Sequence, residues 1–166
     1  MKGPNYSVVS ACATGSHSIG DAFKMVQNGS VDIAIAGASE ATITPMAIAG
    51  FSNMKALTKN PNPNSACKPF DKNRDGFVMG EGAGILIIEH ALDRNANIIA
   101  EIAGYSATAD AYHLTSPPPD GDGASRAMKL ALLDSELTID SIDYINAHGT
   151  STPTNDKVET IAIKNI

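Results

Sequence analysis

The sequence lacks the features that mark several classes of protein. It has no tryptophan and only four tyrosines and four phenylalanines among its 166 residues, and its formal net charge is -6. Lys and Arg are scattered, so there is no basic stripe for a phosphate backbone, and nucleic acid is not expected as a partner. No apolar run reaches the roughly 18 residues of a membrane span, and the N-terminus lacks an apolar signal core. We therefore expect a cytoplasmic protein with no membrane partner.

Cysteine is also scarce. The two cysteines, Cys12 and Cys67, lie far apart with no CxxC spacing, which argues against a disulfide framework and against a structural zinc site. The segment DKNRDGFVMGEG, Asp71–Gly82, imitates a calcium-binding loop but has glycine at the twelfth position, where a glutamate ligand is needed. We expect a glycine-rich turn there and no metal.

What the chain does have is an alternation of apolar runs and helical patterns, which is typical of an α/β protein. The run VDIAIAGA is continuously apolar and predicts a buried, parallel strand covered on both faces. Loops are expected at 59–64 and 116–123, and 90–97 is the expected boundary between two subdomains. The predicted strands are Asn5–Ala11, Val31–Ala38, Gly84–Glu89, Ile98–Ala107 and Ile142–Ala147. The predicted helices are Ser16–Gln27, which Asn28 and Gly29 close, Ala124–Leu133, and a last one from Thr154 onward.

The first candidate for chemistry is Cys12, in the small-residue turn SACATG between a predicted strand and a helix. Alanine and glycine neighbours leave room for a sharp turn and for a substrate. A thiol at a helix N-terminus lies in the positive field of the helix dipole, which favours a reactive thiolate, and the turn can direct a backbone N–H at an oxyanion. A cysteine that merely fills the core is the alternative.

The second candidate is His148, in NAHGTSTPTND at the carboxyl end of a predicted strand, where α/β sheets collect their ligands. Gly149 permits close approach, and Thr150, Ser151 and Thr152 bring three hydroxyls beside the imidazole. A structural histidine remains the alternative. The other histidines and Cys67 are interpreted as structural or solvated, although His113, next to the Pro-rich loop, could line an entrance.

Four segments together resemble a known family. SACATGSHSIGDA, IAGASEATITP, FDKNRDGFVMGEGAG and INAHGTSTPTNDKVE occur in the order and at the spacing of the elongating β-ketoacyl-ACP synthases of type II fatty acid synthesis. Polyketide ketosynthase domains carry the same motifs, so the branch stays open. The resemblance implies a thiolase-like αβαβα layered fold of which this chain holds the central portion. Residues 1–96 would end the first half, with Cys12, and residues 97–166 would begin the second, with His148.

The resemblance also implies a reaction and a site. Cys12 would take an acyl group from acyl carrier protein (ACP) as a thioester, with its own N–H as half of an oxyanion hole. Malonyl-ACP would lose CO₂ and its carbanion would attack that thioester, with His148 as one of two histidines that assist decarboxylation. Thr150 and Thr152 would contact the phosphopantetheine arm, and Asp156 and Glu159 would organise the site from behind it. No cofactor beyond the phosphopantetheine of ACP is implied, and a homodimer is expected.

The lysine, the second histidine and the glycine-rich segment of that family would lie downstream. We therefore expect residues 1–166 alone not to catalyse condensation. A catalytically silent chain-length partner is one alternative, although such partners typically lack the nucleophile. A thiolase or an initiating synthase that uses acyl-CoA is another, although HGTSTP fits the elongating branch better. Acyl chain length cannot be read from the sequence.

Overall fold

A computed structural model describes residues 2–90 and 97–166. The chain divides into two compact units, Met1–Ala41 with Glu81–Tyr105, and Thr42–Gly80 with Ser106–Ile166. The predicted domains, 1–96 and 97–166, are continuous in sequence, whereas each of these units combines two separate stretches of the chain. The predicted division stays a prediction. The helices are α1 (Thr14–Gln27), α2 (Pro45–Asn53), α3 (Asp122–Asp134) and α4 (Pro153–Lys164), and the strands are β1 (Ile33–Glu40) and β2 (Gly82–Glu89). Short 3-10 turns cover Ala11–Ala13 and Ile139–Ser141.

The first unit is a two-stranded sheet packed on one helix. Strands β1 and β2 pair antiparallel, from Ile33 opposite Glu89 to Glu40 opposite Gly82. One face of the sheet packs on α1 through a small core of Ala22, Ala36 and Ile88. Because successive side chains of a strand point to opposite faces, the other isoleucines lie on the far face. That face is not covered within the described residues, and Ile35, Ile85 and Ile87 are 61%, 60% and 63% exposed.

The second unit is built around the packing of α3 on α4. Gly121, in a left-handed conformation with φ 68°, comes immediately before α3, and a Cβ there would lie 2.9 Å from the Cβ of Ala162. Ala162 and Val158 form the buried side of α4. Only glycine combines this backbone angle with so close an approach. Among the described residues, no helix is both long and apolar enough to cross a membrane.

The predicted helices are confirmed, with ends shifted by a few residues. Helix α1 begins at Thr14 and Gly29 adopts the left-handed φ of 73° expected after it. Helix α3 covers Ala124–Leu133 and α4 covers the last predicted helix. The predicted loop at 116–123 holds as far as Gly121, since α3 starts at Asp122. The 59–64 loop is confirmed. The boundary segment at 90–97 lies almost wholly outside the described residues.

Several strand predictions are wrong. Strands β1 and β2 exist where apolar runs predicted them, but they are antiparallel and buried on one face only. A continuous apolar run does not distinguish parallel from antiparallel pairing, or a face that is covered from one that is not. The segments Asn5–Ala11, Ile98–Ala107 and Ile142–Ala147 form no strand. A strand needs a hydrogen-bonded neighbour, and within the described residues the only sheet has two strands.

Helix α2 was not predicted. Its start carries the usual signals, because the hydroxyl of Thr44 accepts a hydrogen bond from the N–H of Ala47 and Pro45 occupies the first helical turn. A Thr-Pro pair of this kind is typical of a helix N-terminus.

Candidate functional site

Cys12 lies in the middle of the 3-10 turn Ala11–Ala13, which runs directly into α1. Ala11 has a left-handed φ of 45°, which is unfavourable for a residue with a Cβ. The turn is closed by two hydrogen bonds of Ser10, whose carbonyl accepts from the N–H of Ala13 and whose N–H donates to the hydroxyl of Thr14. The thiol of Cys12 is free and exposed. The structure thus presents Cys12 on a strained corner at the amino end of a 14-residue helix.

Helix α1 is fixed by a contact one turn further along. The hydroxyl of Tyr105 lies 2.6 Å from Nδ1 of His17, and the Tyr105 ring lies so close to Gly20 that a Cβ there would overlap it. Burial raises the pKa of the Tyr105 phenol above its ordinary value, and the negative charge of Asp21 adds to the effect. His17, interpreted from the sequence as structural or solvated, is half-buried at this contact.

The second candidate corner surrounds His148, which is exposed. Its backbone N–H donates to Oε1 of Glu159 at 2.5 Å, and the N–H of Gly149 donates to Oε2 of the same carboxylate at 2.9 Å. Glu159 is on α4, and Asn155, one turn earlier, also donates to it at 3.4 Å. One carboxylate therefore holds two consecutive amides of the segment that carries the imidazole.

The three hydroxyls that follow His148 differ in their surroundings. Thr150 and Thr152 are half-buried, and their Oγ1 atoms lie 2.7 Å apart. Ser151 is fully buried, in a left-handed conformation with φ 64°. Its Oγ accepts from the N–H of Lys68 and its carbonyl accepts from the N–H of Gly76. The Thr150 and Thr152 hydroxyls thus pair with each other, whereas the Ser151 hydroxyl bonds to the segment at Lys68.

Asp156 lies at the start of α4 and is 1% exposed. Its Oδ2 accepts from the N–H of Phe70 at 2.7 Å and lies 3.2 Å from Nε of Arg74. Arg74 also donates to the carbonyls of Thr152 at 3.0 Å and Pro153 at 2.7 Å. A buried carboxylate needs such partners, because an unpaired buried charge is costly.

The segment with Arg74 was not predicted as part of the site, and Ser151, predicted as one of three hydroxyls beside the imidazole, is buried. The sequence predicted a glycine-rich turn at Asp71–Gly82, and in the structure the carboxylates of Asp71 and Asp75 accept hydrogen bonds from within the protein. The Asp71 carboxylate accepts from the N–H of Asn73. The Asp75 carboxylate accepts from the Thr58 hydroxyl and the Lys59 N–H, and these bonds, helped by the charge of Lys68, hold the pKa of Asp75 below its ordinary value. Across the residues described, no three metal-binding side chains cluster.

The six candidate residues fall into two groups. Cys12 belongs to the first unit, whereas His148, Thr150, Thr152, Asp156 and Glu159 belong to the second. Inside the second unit, Asn155 links Glu159, which holds His148, to Asp156. The N–H of Asp156 donates to the carbonyl of Thr152, whose hydroxyl pairs with that of Thr150. The convergence of the Cys12 thiol and the His148 imidazole on one substrate stays a prediction, as do the individual roles.

Comparison with known proteins identifies the class. Residues 1–94 match the family model "Beta-ketoacyl synthase, N-terminal domain" and residues 99–166 match "Beta-ketoacyl synthase, C-terminal domain". The chain therefore belongs to the β-ketoacyl synthase family, and the predicted family is confirmed.

Among its relatives, "3-oxoacyl-[acyl-carrier-protein] synthase 2" of Staphylococcus aureus is 58% identical over 99% of this chain and 41% of the relative. The protein of that name from Synechocystis is 58% identical over 98% of this chain and 40% of the relative. The chain thus spans about two fifths of the length of these proteins.

Solved structures bear out the fold. A type II polyketide ketosynthase, described as AntDE:AntF with its acyl-carrier protein, superposes with a TM-score of 0.88 at 44% identity, over 92% of this chain and 39% of that one. A β-ketoacyl synthase from Burkholderia phymatum superposes with a TM-score of 0.84 at 40% identity, over 93% and 38%. The chain has the thiolase-like α/β fold of the ketosynthases, in part, as predicted.

Proposed function

We propose that this chain is the central part of an elongating 3-oxoacyl-ACP synthase, which condenses malonyl-ACP with a cysteine-bound acyl chain in fatty acid synthesis. The observation that carries the proposal is the exposed Cys12 on a strained turn at the amino end of α1. Strained backbone at a reactive side chain is typical of functional sites. The identity of 58% to synthases of that name supports it.

In the first half-reaction, the Cys12 thiolate attacks the thioester carbonyl of acyl-ACP. The bond from Cys12 Sγ to the acyl carbon forms, the bond from that carbon to the phosphopantetheine sulfur breaks, and the released thiolate takes up the proton that Cys12 lost. The negative charge on the carbonyl oxygen develops beside the amino end of α1, where backbone N–H groups stabilise an anion. The Cys12 N–H is one such donor.

In the second half-reaction, malonyl-ACP loses CO₂ and the electrons of the broken C–C bond pass into an enolate of the thioester. His148 donates a hydrogen bond to the malonyl thioester carbonyl and so stabilises that enolate. The enolate carbon attacks the acyl-Cys12 thioester and the Cys12 thiolate leaves. Thr150 and Thr152 contact the phosphopantetheine arm, while Asp156 and Glu159 hold the corner from behind.

The partner of the complete protein is ACP, which one structural neighbour binds according to its description. No cofactor of its own is needed, because the substrates arrive on phosphopantetheine. We place the protein in the cytoplasm and propose a homodimer through the segment that leads to Cys12, in which the side chains of Tyr6 and Val9 are 59% and 90% exposed.

The test uses Cys67 as an internal control, because it is the other free and exposed cysteine. In the complete protein, Cys12→Ser abolishes both acyl-enzyme formation, measured by intact-protein mass spectrometry, and β-ketoacyl-ACP production. Cys67→Ser leaves both at the wild-type rate. Acylation that persists in Cys12→Ser would show that another residue is the nucleophile.

A polyketide ketosynthase is the second candidate, because a type II polyketide ketosynthase is among the structural neighbours, at 44% identity. The higher identity, 58%, to relatives named 3-oxoacyl-[acyl-carrier-protein] synthase 2 favours the first proposal. With malonyl-ACP and no reductase, a condensing enzyme of fatty acid synthesis stops after one condensation, whereas a polyketide ketosynthase continues to poly-β-ketones.

Two further experiments test the remaining alternatives. Cysteine labelling distinguishes a working synthase from a silent chain-length partner, and the preferred acyl donor distinguishes it from an enzyme that uses acyl-CoA. Preincubation with cerulenin protects Cys12 from iodoacetamide in a working synthase, whereas a silent chain-length partner shows no protection. Acyl-CoA as the preferred acyl donor would indicate an initiating synthase or a thiolase.

A further inference from the structure

We propose that Arg74 is a positioning residue for the malonyl half-reaction, an inference that rests on the function proposed above. Its guanidinium joins the loop after Phe70 to the beginning of α4. Nη1 donates to the carbonyl of Asp71 in its own loop, and Nε and Nη2 donate to the carbonyls of Thr152 and Pro153. The same Nε lies 3.2 Å from the buried carboxylate of Asp156.

These contacts need the geometry of arginine. The planar fork places several N–H donors on carbonyls and a carboxylate at once, whereas a lysine ammonium is a point charge on a flexible stem. The Arg74 side chain is 16% exposed and that of Asp156 is 1% exposed, so water screens the pair weakly. A second bond supports this contact between the Arg74 loop and the beginning of α4, since Asp156 also accepts from the N–H of Phe70.

Two sets of hydrogen bonds link the Arg74 contact to the candidate site. The carbonyl that Arg74 holds is that of Thr152, whose hydroxyl bonds to the Thr150 hydroxyl. Further along α4, Glu159 holds the backbone N–H groups of His148 and Gly149. A shift at the beginning of α4 therefore moves both the threonine pair and the backbone of His148.

Measuring malonyl-ACP decarboxylation and Cys12 reactivity separately distinguishes a positioning role of Arg74 from a general contribution to stability. Cys12 lies in the first unit and Arg74 in the second, so an arginine that positions the His148 corner affects decarboxylation without changing the chemical reactivity of the thiol. Alkylation by iodoacetamide measures the reactivity of the thiol. Because this reagent carries no phosphopantetheine, its reaction does not depend on Thr150 and Thr152. Arg126 provides a matched control, because it forms an exposed pair with Asp122 and also donates to a backbone carbonyl.

In the complete protein, we expect Arg74→Gln to slow malonyl-ACP decarboxylation about 10- to 100-fold, the range expected when reacting groups are misplaced by about 1 Å. Iodoacetamide should alkylate Cys12 at the wild-type rate, and Arg74→Lys should recover part of the lost rate. Arg126→Gln should decarboxylate as the wild type does. Hydrogen exchange at the amides of His148 and Gly149 should be faster in Arg74→Gln.

Wild-type decarboxylation in Arg74→Gln would overturn the proposal. A parallel loss of decarboxylation, Cys12 alkylation and melting temperature would also overturn it, since Arg74 would then serve stability in general. If the wild-type protein does not decarboxylate malonyl-ACP, the proposed function fails instead. The exchange measurement then still decides whether Arg74 holds the His148 corner.

Discussion

At the scale of single residues, the position of His148 depends on one carboxylate. Glu159 accepts from two consecutive N–H groups with its two oxygens. In Glu159→Gln one oxygen becomes an amide NH₂, which cannot accept, so one of the two N–H groups loses its partner. We expect malonyl-ACP decarboxylation by the complete protein to fall about tenfold or more, because the imidazole is then misplaced.

Glu101→Gln, which changes an exposed acid of the first unit, is the control for Glu159→Gln and should keep the wild-type rate. Decarboxylation that is unchanged in Glu159→Gln would show that the backbone of His148 does not need this carboxylate.

Asp75 gives a dependence of stability on pH. Hydrogen bonds from Thr58 and Lys59 lower its pKa in the folded protein, so the ionised carboxylate stabilises the fold above its unfolded pKa of about 3.9. This contribution disappears as the pH falls through the lowered pKa. We expect Asp75→Asn to melt below the wild type at pH 7, with the difference shrinking below about pH 4.

Asp143→Asn, at an exposed acid, is the control for this experiment and should change the melting temperature little at either pH. A difference between Asp75→Asn and wild type that stays constant on acidification would mean that the ionised carboxylate is not what stabilises the fold.

At the scale of elements, α1 is fixed by the close packing of Gly20 on Tyr105. A methyl group at Gly20 overlaps the ring, so we expect Gly20→Ala to lower the free energy of unfolding by about 1–3 kcal/mol, as overpacking does. Gly50→Ala, within α2, has nothing within 4 Å of its added Cβ and should raise stability by about 0.5–1 kcal/mol. Chemical denaturation measures both.

The double variant Gly20→Ala with Tyr105→Leu decides whether the ring is the cause. Residues in contact are not additive, so the double variant should lose less than the sum of the two single changes. If the losses of unfolding free energy are additive, the destabilisation by Gly20→Ala does not come from overlap with the Tyr105 ring.

The helices could be predicted from the sequence because their signals are local. Gly29 follows the end of α1, and the apolar spacing of α3 lies within its own 13 residues. The strands could be predicted only in part, because pairing and coverage depend on residues far away in the chain. The run that became β1 shows its apolar character, but not that its partner β2 is antiparallel or that α1 covers one face alone.

The candidate site shows the same division. Cys12 and His148 stood out because each was predicted at the end of a strand with small residues beside it, and the four motifs in register predicted their family. Arg74 carried no such signal, and nothing local showed that the Ser151 hydroxyl is buried. Their contacts join residues 78 to 83 positions apart in the chain, and nothing in DKNRDG indicates that its arginine holds the beginning of α4.

At the scale of the whole molecule, the first unit has apolar surface that its described residues leave exposed. Ile35, Ile85 and Ile87 lie on the side of the sheet away from α1. A cavity of about 910 Å³ opens between residues 2–8, α1 and β1. Within the described part of the chain both strands are sheet edges, and an apolar face next to open edges favours association with other chains.

This surface leads to a prediction for residues 1–166 produced alone. We expect the chain to self-associate in size-exclusion chromatography and to make no β-ketoacyl-ACP from acyl-ACP and malonyl-ACP. Ile35→Lys with Ile87→Lys should reduce the association, since charge on an exposed sheet face opposes pairing. Lys substitutions at Leu133 and Tyr144, which are 74% and 79% exposed in the second unit, should not. The prediction is wrong if the unsubstituted chain elutes as a monomer, or if it condenses the two substrates, because residues 1–166 would then suffice for the whole site.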